Sequence, residues 1–173
     1  ANYGDNDGSQ VKTGKMTRVS DQMAAAQKKH SNPEDSENYI ENYSTIAGIN
    51  ADFYNMSTGI PTGILVMNGT VYNDAKGYSF FGIKKDGTPV IGDAEELTDD
   101  YKSTLQEAVG AASILVKDGK MAVSISNNYY NTRASRTAVG ITADNKVVFM
   151  VLDGRQEPFS AGGSAEEIAQ IML

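Results

Sequence analysis

The amino-acid sequence predicts an α+β domain, with a mixed, largely antiparallel sheet built from hairpins and at least three helices. Two observations predict it. An apolar run, a turn dipeptide and a second apolar run recur four times between Ile64 and Leu152. Before, between and after these units lie segments that pair a helix-capping residue with apolar side chains at helical spacing.

The opening stretch, Ala1 to Lys15, is polar and rich in Gly and Asp, and reads as a loop or frayed terminus. Within it, Asp5-Asn6-Asp7-Gly8 matches the first positions of a calcium loop, but the position where such a loop needs a bidentate Glu is Met16. A structural calcium ion is the one cofactor the sequence raises, and no other is expected. Ser20 is placed to cap a helix to about His30, with Met23, Ala26 and Gln27 on one face. Ser31 to Tyr43 carries Pro33 and several acids and reads as a surface loop. His30 is the single histidine; a solvated helix-terminal role suits it better than catalysis, and without a second His no His-based metal site is expected.

From Thr45 the character is β. Thr45 to Ile49 reads as a buried strand. The hairpins are Ile64–Tyr72 around Asn68-Gly69, Phe80–Ile91 around Asp86-Gly87, Ile114–Val123 around Asp118-Gly119 and Ala138–Leu152 around Asp144-Asn145. Asn-Gly and Asp-Gly tolerate the positive φ that tight hairpin turns demand. Thr98 is placed to cap a helix to about Ala111, with Tyr101, Leu105, Ala108 and Val109 as its apolar stripe. Ser164 opens a last helix, and Glu167 completes a capping box. Its inward face is expected to be Ile168, Ile171 and Met172. That stripe breaks off at Leu173 after barely two turns, so further chain to pack against it is expected.

At 173 residues the chain suits one domain with a sizeable core. A net charge of -7 repels phosphate backbones, so nucleic acid is not expected as a partner. An anionic ligand would need a local cluster of arginines or backbone N–H groups set against that field. With no cysteine there is neither a disulfide framework nor a thiolate metal site. No stretch approaches the roughly 18 apolar residues of a membrane span, and no signal peptide is visible.

Four segments carry candidate chemistry. In Gly48 to Tyr54, Asn50 and Asp52 follow an apolar run; they face a cleft or form an Asx-type turn. Ser57 to Gly63, with Thr58 and Gly59, either offers backbone N–H groups to a ligand or is a tight connection. Arg133-Ala134-Ser135-Arg136-Thr137 sets two arginines at a strand entrance, suited to phosphate or to surface salt bridges. In Val151-Leu152-Asp153-Gly154-Arg155 a carboxylate and a guanidinium flank a glycine where an apolar strand emerges. Gly162-Gly163-Ser164 follows, at a helix N-terminus that favours anions.

Taken in order, these segments resemble the phosphodiester glycosidase family. The resemblance runs from about Thr45 to Leu173 through Ile49-Asn50-Ala51-Asp52-Phe53-Tyr54, Thr58-Gly59 with Pro61 and Gly63, Ser135 to Gly140, Val151 to Arg155 and the final helix. It implies cleavage of the bond between a sugar's anomeric carbon and a phosphodiester oxygen, with a carbohydrate phosphodiester of the GlcNAc-1-phosphate type as substrate. It further implies an exported protein, extracellular or in a bacterial cell envelope. Relatives carry an Asp-Gly-Gly-Gly-Ser-like stretch just after this helix; such a segment is expected elsewhere, on another chain or in a removed part, and this chain alone is expected to be incomplete for catalysis. By the resemblance, Arg136 and Arg155 hold the phosphate, and Asp153 or the downstream Asp is base or nucleophile. Asn50 and Thr137 then orient oxygens, and Asp52, Thr58 and Gly59 help bind substrate. The position of Asp52 is often glycine in relatives. The alternative is a non-catalytic module that binds envelope polysaccharide or a partner protein, with Tyr129 and Tyr130 suited to sugar stacking. A metal-dependent phosphodiesterase is disfavoured by the single His.

Overall fold

The computed structural model describes residues 17–75, 77, 79–122 and 131–173. The predicted loop at Ala1 to Lys15, with its calcium-like Asp5-Asn6-Asp7-Gly8, lies outside the described residues.

The predicted hairpins form at the predicted dipeptides. β1 (Leu65–Met67) turns into β2 (Thr70–Asn73), β3 (Ser79–Lys84) into β4 (Pro89–Asp93), β6 (Val116–Lys117) into β7 (Lys120–Met121), and β8 (Arg136–Ile141) into β9 (Val147–Leu152). Asn68, Gly69, Gly87, Asp118, Gly119 and Asn145 all adopt positive φ, which is why Asn, Asp and Gly occupy these turns. With β5 (Leu105–Ala111) the first two hairpins build a sheet in the order β2-β1-β5-β3-β4. Every ladder among the described residues is antiparallel. Among the fully described elements the α-helices are α1 (Val19–His30), α2 (Asp99–Thr104) and α3 (Ala165–Met172). This is the α+β class expected. No helix among the described residues is long and apolar enough to cross a membrane.

The helix expected from Thr98 to Ala111 is half right. Thr98 caps it, its Oγ1 accepting from Tyr101 N at 3.2 Å, but the helix ends at Thr104. Leu105–Ala111 is instead the central strand, paired to β1 on one edge and β3 on the other. Leu105, Ala108 and Val109 fit a helical stripe, yet two ladders satisfy the backbone on both sides, and tertiary pairing overrides local period. The strand predicted at Thr45 to Ile49 is also corrected. It has no regular structure and joins no ladder, and Ile46 is 91% exposed. Helix α1 starts one residue before Ser20, after Arg18, and Ser20 caps nothing. Polar Ser31 to Tyr43 is irregular, as expected, and His30 closes it: Nδ1 donates to Asn38 O at 2.8 Å and the ring lies against Tyr43.

The core sits on one face of the sheet. Ile64, Val66, Phe80, Leu97, Leu105 and Ala108 form it, with Val90 and Tyr101 packed against them. Burying a side chain such as Phe80 contributes about 1.5–3 kcal/mol. Lys102 of α2 is buried to its ammonium, which reaches Asp74 at 2.8 Å and Asp99 at 2.7 Å and fastens α2 to the end of β2. The opposite face, with Phe81, Ile91 and Val109, looks onto an open groove of about 1800 Å³ that is also lined by β8, β9 and α3. Helix α3 has the predicted capping box, Ser164 and Glu167 each bonding the other's backbone N–H. Its inward residues are Ala165, Ile168 and Ala169; Ile171, expected inward, is 64% exposed because it faces this groove.

Candidate active site

Two glycines bring distant segments together. A Cβ on Gly154 would collide with the backbone N of Ser135, and one on Gly162 would lie 2.5 Å from the carbonyl atoms of Ala134. Ala134 is therefore held between them, backbone against backbone. Ala134 and Gly163 also bond to each other in both directions, at 3.3 and 3.0 Å. The stretch after β9, the loop before α3 and the entrance to β8 thus meet at one point.

That point carries a cavity of about 300 Å³ lined by Thr132, Ala134, Ser135, Arg136 and Arg155. Arg136 is anchored by backbone oxygens: Nε donates to Gly163 O at 3.3 Å and Nη2 to Thr132 O at 2.8 Å. These two bonds restrain the guanidinium of a residue that lines the cavity. Arg155 sits at φ +59°, a left-handed conformation that needs support from its surroundings. Among the described residues its guanidinium makes no hydrogen bond or ion pair. Arg133 does not line the cavity. Its Nη1 donates to Gly162 O at 2.8 Å and its Nη2 pairs with Glu167, so of the two neighbouring arginines one is a strut and one a candidate ligand.

The groove adjoins this cavity, Ser135 and Arg136 lining both. Arg136 lies opposite Leu152 in the β8–β9 ladder, so Asp153, the next residue, emerges beside it and lines the groove. Its side chain bonds no described residue; only its backbone oxygen is used, accepting from Ser160 Oγ at 2.6 Å. Thr137 Oγ1 donates to Asn50 Oδ1 at 2.6 Å, which brings the first candidate segment onto β8. Asn50, Asp52, Arg136, Thr137 and Asp153 all line the groove, and Arg155 shares the cavity with Arg136.

The sequence model of the phosphodiester glycosidase family matches residues 43–173. The chain belongs to that family. The chain is 28% identical over 141 residues to N-acetylglucosamine-1-phosphodiester alpha-N-acetylglucosaminidase of Bos taurus, an alignment covering 72% of the chain and 26% of the bovine protein. Its fold is similar to the solved catalytic domain of the zebrafish N-acetylglucosamine-1-phosphodiester alpha-N-acetylglucosaminidase, auto-inhibited by its pro-peptide. The TM-score is 0.59 at 20% identity, covering 70% of this chain and 45% of that one. The chain thus spans about a quarter of the bovine protein and under half of the zebrafish domain.

Within this family member the remaining candidates are tied up locally. Asp52, at φ +59°, accepts from Gly63 N at 2.7 Å, Thr62 Oγ1 at 3.1 Å and Phe53 N at 2.6 Å. Gly63 and Gly110 leave it room, for a Cβ on Gly110 would lie 2.7 Å from its carboxylate. The Asx-type turn expected around Asn50 and Asp52 is centred farther on, at Asn55, whose Oδ1 accepts from Ser57 N and Thr58 N. Thr58 Oγ1 accepts from Ile60 N and Gly59 N donates to Asn55 O, so these two residues serve their own loop and line neither hollow. The α3 N-terminus is likewise closed: Gly162 N, Gly163 N and Ser164 N donate to Ser160 Oγ, Ala134 O and Glu167 Oε2. Tyr129 and Tyr130 lie outside the described residues. Ser135 and Thr132 also line the cavity, and in the sequence only their nearness to Arg136 at a strand entrance marks them.

Proposed function

We propose that this chain carries the phosphate-holding side of a glycosidase that cleaves the C1–O bond of a sugar-1-phosphodiester of the GlcNAc-1-phosphate type. We place that substrate in extracellular or cell-envelope glycans of a bacterium that exports the protein. The observation that carries the reading is Arg136 and Arg155 on one cavity, beside the groove edge where Asp153, Asn50 and Thr137 stand. The bovine relative's name supports the substrate class. The cysteine-free, acidic composition suits the location.

The chemistry follows from the leaving group. A phosphomonoester has a second pKa of about 6, so it departs with far less proton help than a sugar alkoxide. The site's main work is to hold the phosphate and to stabilise an oxocarbenium-like state at C1. Arg136, fixed by two carbonyls, and Arg155 take the phosphate oxygens. Asn50, oriented by Thr137, directs its amide at the sugar. Water attacks C1, its proton passes to a carboxylate, for which Asp153 is the placed group, and the C1–O electrons leave with the phosphate.

The test is incubation of the full-length protein with a GlcNAc-α-1-phosphodiester in 18O-water. Label in the sugar is expected. Label in the phosphate would mean attack at phosphorus and would overturn the reading. Saturable binding without cleavage would favour the non-catalytic module instead.

A further inference from the structure

Residues 44–49 lead to Asn50 without regular structure and with no ladder partner among the described residues. Their backbone is tied down all the same. Gln27, on α1, donates from Nε2 to Tyr43 O at 3.2 Å, and its Oε1 accepts from Thr45 N at 2.7 Å. One side-chain amide therefore bridges a carbonyl and the N–H two residues on, the spacing at which a residue of a parallel strand would engage its neighbour. A second contact follows along the same path: Met23 lies against Gly48, where an added Cβ would sit 2.8 Å from its Sδ. Helix α1 buries no residue completely and precedes the family-matched stretch 43–173. Its described contacts with the following chain are this polar clamp, Met23 and Val19 against Gly48, and His30 against Asn38 and Tyr43.

We propose that Gln27 is a positioning residue for Asn50, holding the lead-in backbone so that the Asn50 amide meets Thr137 and faces the groove. Asn50 is then fixed from two sides, by the Thr137 hydroxyl at its own side chain and by the Gln27 clamp upstream. The inference deepens the proposed function, because it rests on Asn50 contributing to that reaction.

The experiment compares Gln27→Ala, Asn50→Ala and the double variant in the full-length protein, assayed on a GlcNAc-α-1-phosphodiester. Alanine favours the helix, so the fold of α1 is retained. Losing two neutral hydrogen bonds is expected to lower kcat about three- to tenfold with little change in KM, and the double variant should be no worse than Asn50→Ala. Hydrogen exchange at the Thr45 amide should accelerate in Gln27→Ala, which reads the clamp without reference to activity. A Gln27→Ala loss that multiplies with that of Asn50→Ala, or unchanged Thr45 exchange, overturns the inference alone. Full activity in Asn50→Ala removes Asn50 from the reaction and overturns both this inference and its part in the proposed function.

Discussion

Thr137 Oγ1 donates to Asn50 Oδ1 at 2.6 Å, linking residues 87 positions apart. The bond restrains the Asn50 amide through its oxygen, and both residues line the groove. A Thr137→Val variant keeps the shape of the side chain and removes the donor. In the full-length protein kcat/KM is expected to fall about tenfold, the scale of one well-aligned hydrogen bond, and Thr137→Ser should restore most of it. Equal rates in all three proteins would show that Asn50 orientation does not matter.

The clamp on Ala134 predicts a contrast between two glycines. Gly162 has φ +82° and a Cβ there would meet the Ala134 backbone at 2.5 Å, whereas Gly87 has φ +86° with nothing within 4 Å. Gly87→Ala should cost only the left-handed penalty of about 1–2 kcal/mol. Gly162→Ala adds a collision with backbone that cannot rotate away, a further cost of about 1–3 kcal/mol. Thermal unfolding should show the Gly162 variant several degrees below the Gly87 variant. Equal midpoints would mean that the Ala134 sandwich yields easily.

The hairpins were legible because each is specified locally, by two apolar runs and a turn residue that accepts positive φ. The site was legible in part for the same reason: Arg136 and Asp153 stand at the ends of strands whose pairing the Asp144-Asn145 turn dictates. Leu105–Ala111 was not legible. Its apolar spacing satisfies a helix, and only the two strands flanking it in space, one distant and one nearer in sequence, make it β. The division between Arg133 and Arg136 was hidden too, since it depends on Gly162 O, Gly163 O and Glu167 arriving from the α3 loop. The seat of the Asp52 carboxylate was hidden as well, because nothing in its sequence neighbours reveals that Gly63 and Gly110 leave room for it.

That division of labour is measurable. Charge-assisted bonds to phosphate are worth about 1.5–3 kcal/mol each. Arg136→Ala and Arg155→Ala should therefore weaken binding of GlcNAc-1-phosphate to the full-length protein by about 10- to 100-fold in calorimetry. Arg133→Ala should instead lower the melting temperature and leave that affinity within a few-fold. If Arg133→Ala weakens binding as much as Arg155→Ala, the strut is a ligand after all.

The sheet also carries an acid whose burial works against it at neutral pH. Glu107, in the central strand, has its pKa raised by burial, although the Asn68 N–H, donating to Oε1 at 3.0 Å, and the charge of His30 pull the other way. An acid whose folded-state pKa lies above its unfolded value holds its proton more tightly when folded. Its favourable contribution is complete below the ordinary glutamate range and is lost as pH rises through the raised value. At pH 7 the ionised group is therefore a net cost, softened because the side chain keeps contact with solvent. Glu107→Gln retains an oxygen for Asn68 N and removes the charge. Its melting temperature should exceed that of the parent by about a degree or two at pH 7, and the difference should shrink toward zero as pH drops below about 4. A difference that stays constant with pH, or grows in acid, would show that the Asn68 bond and not desolvation governs this carboxylate.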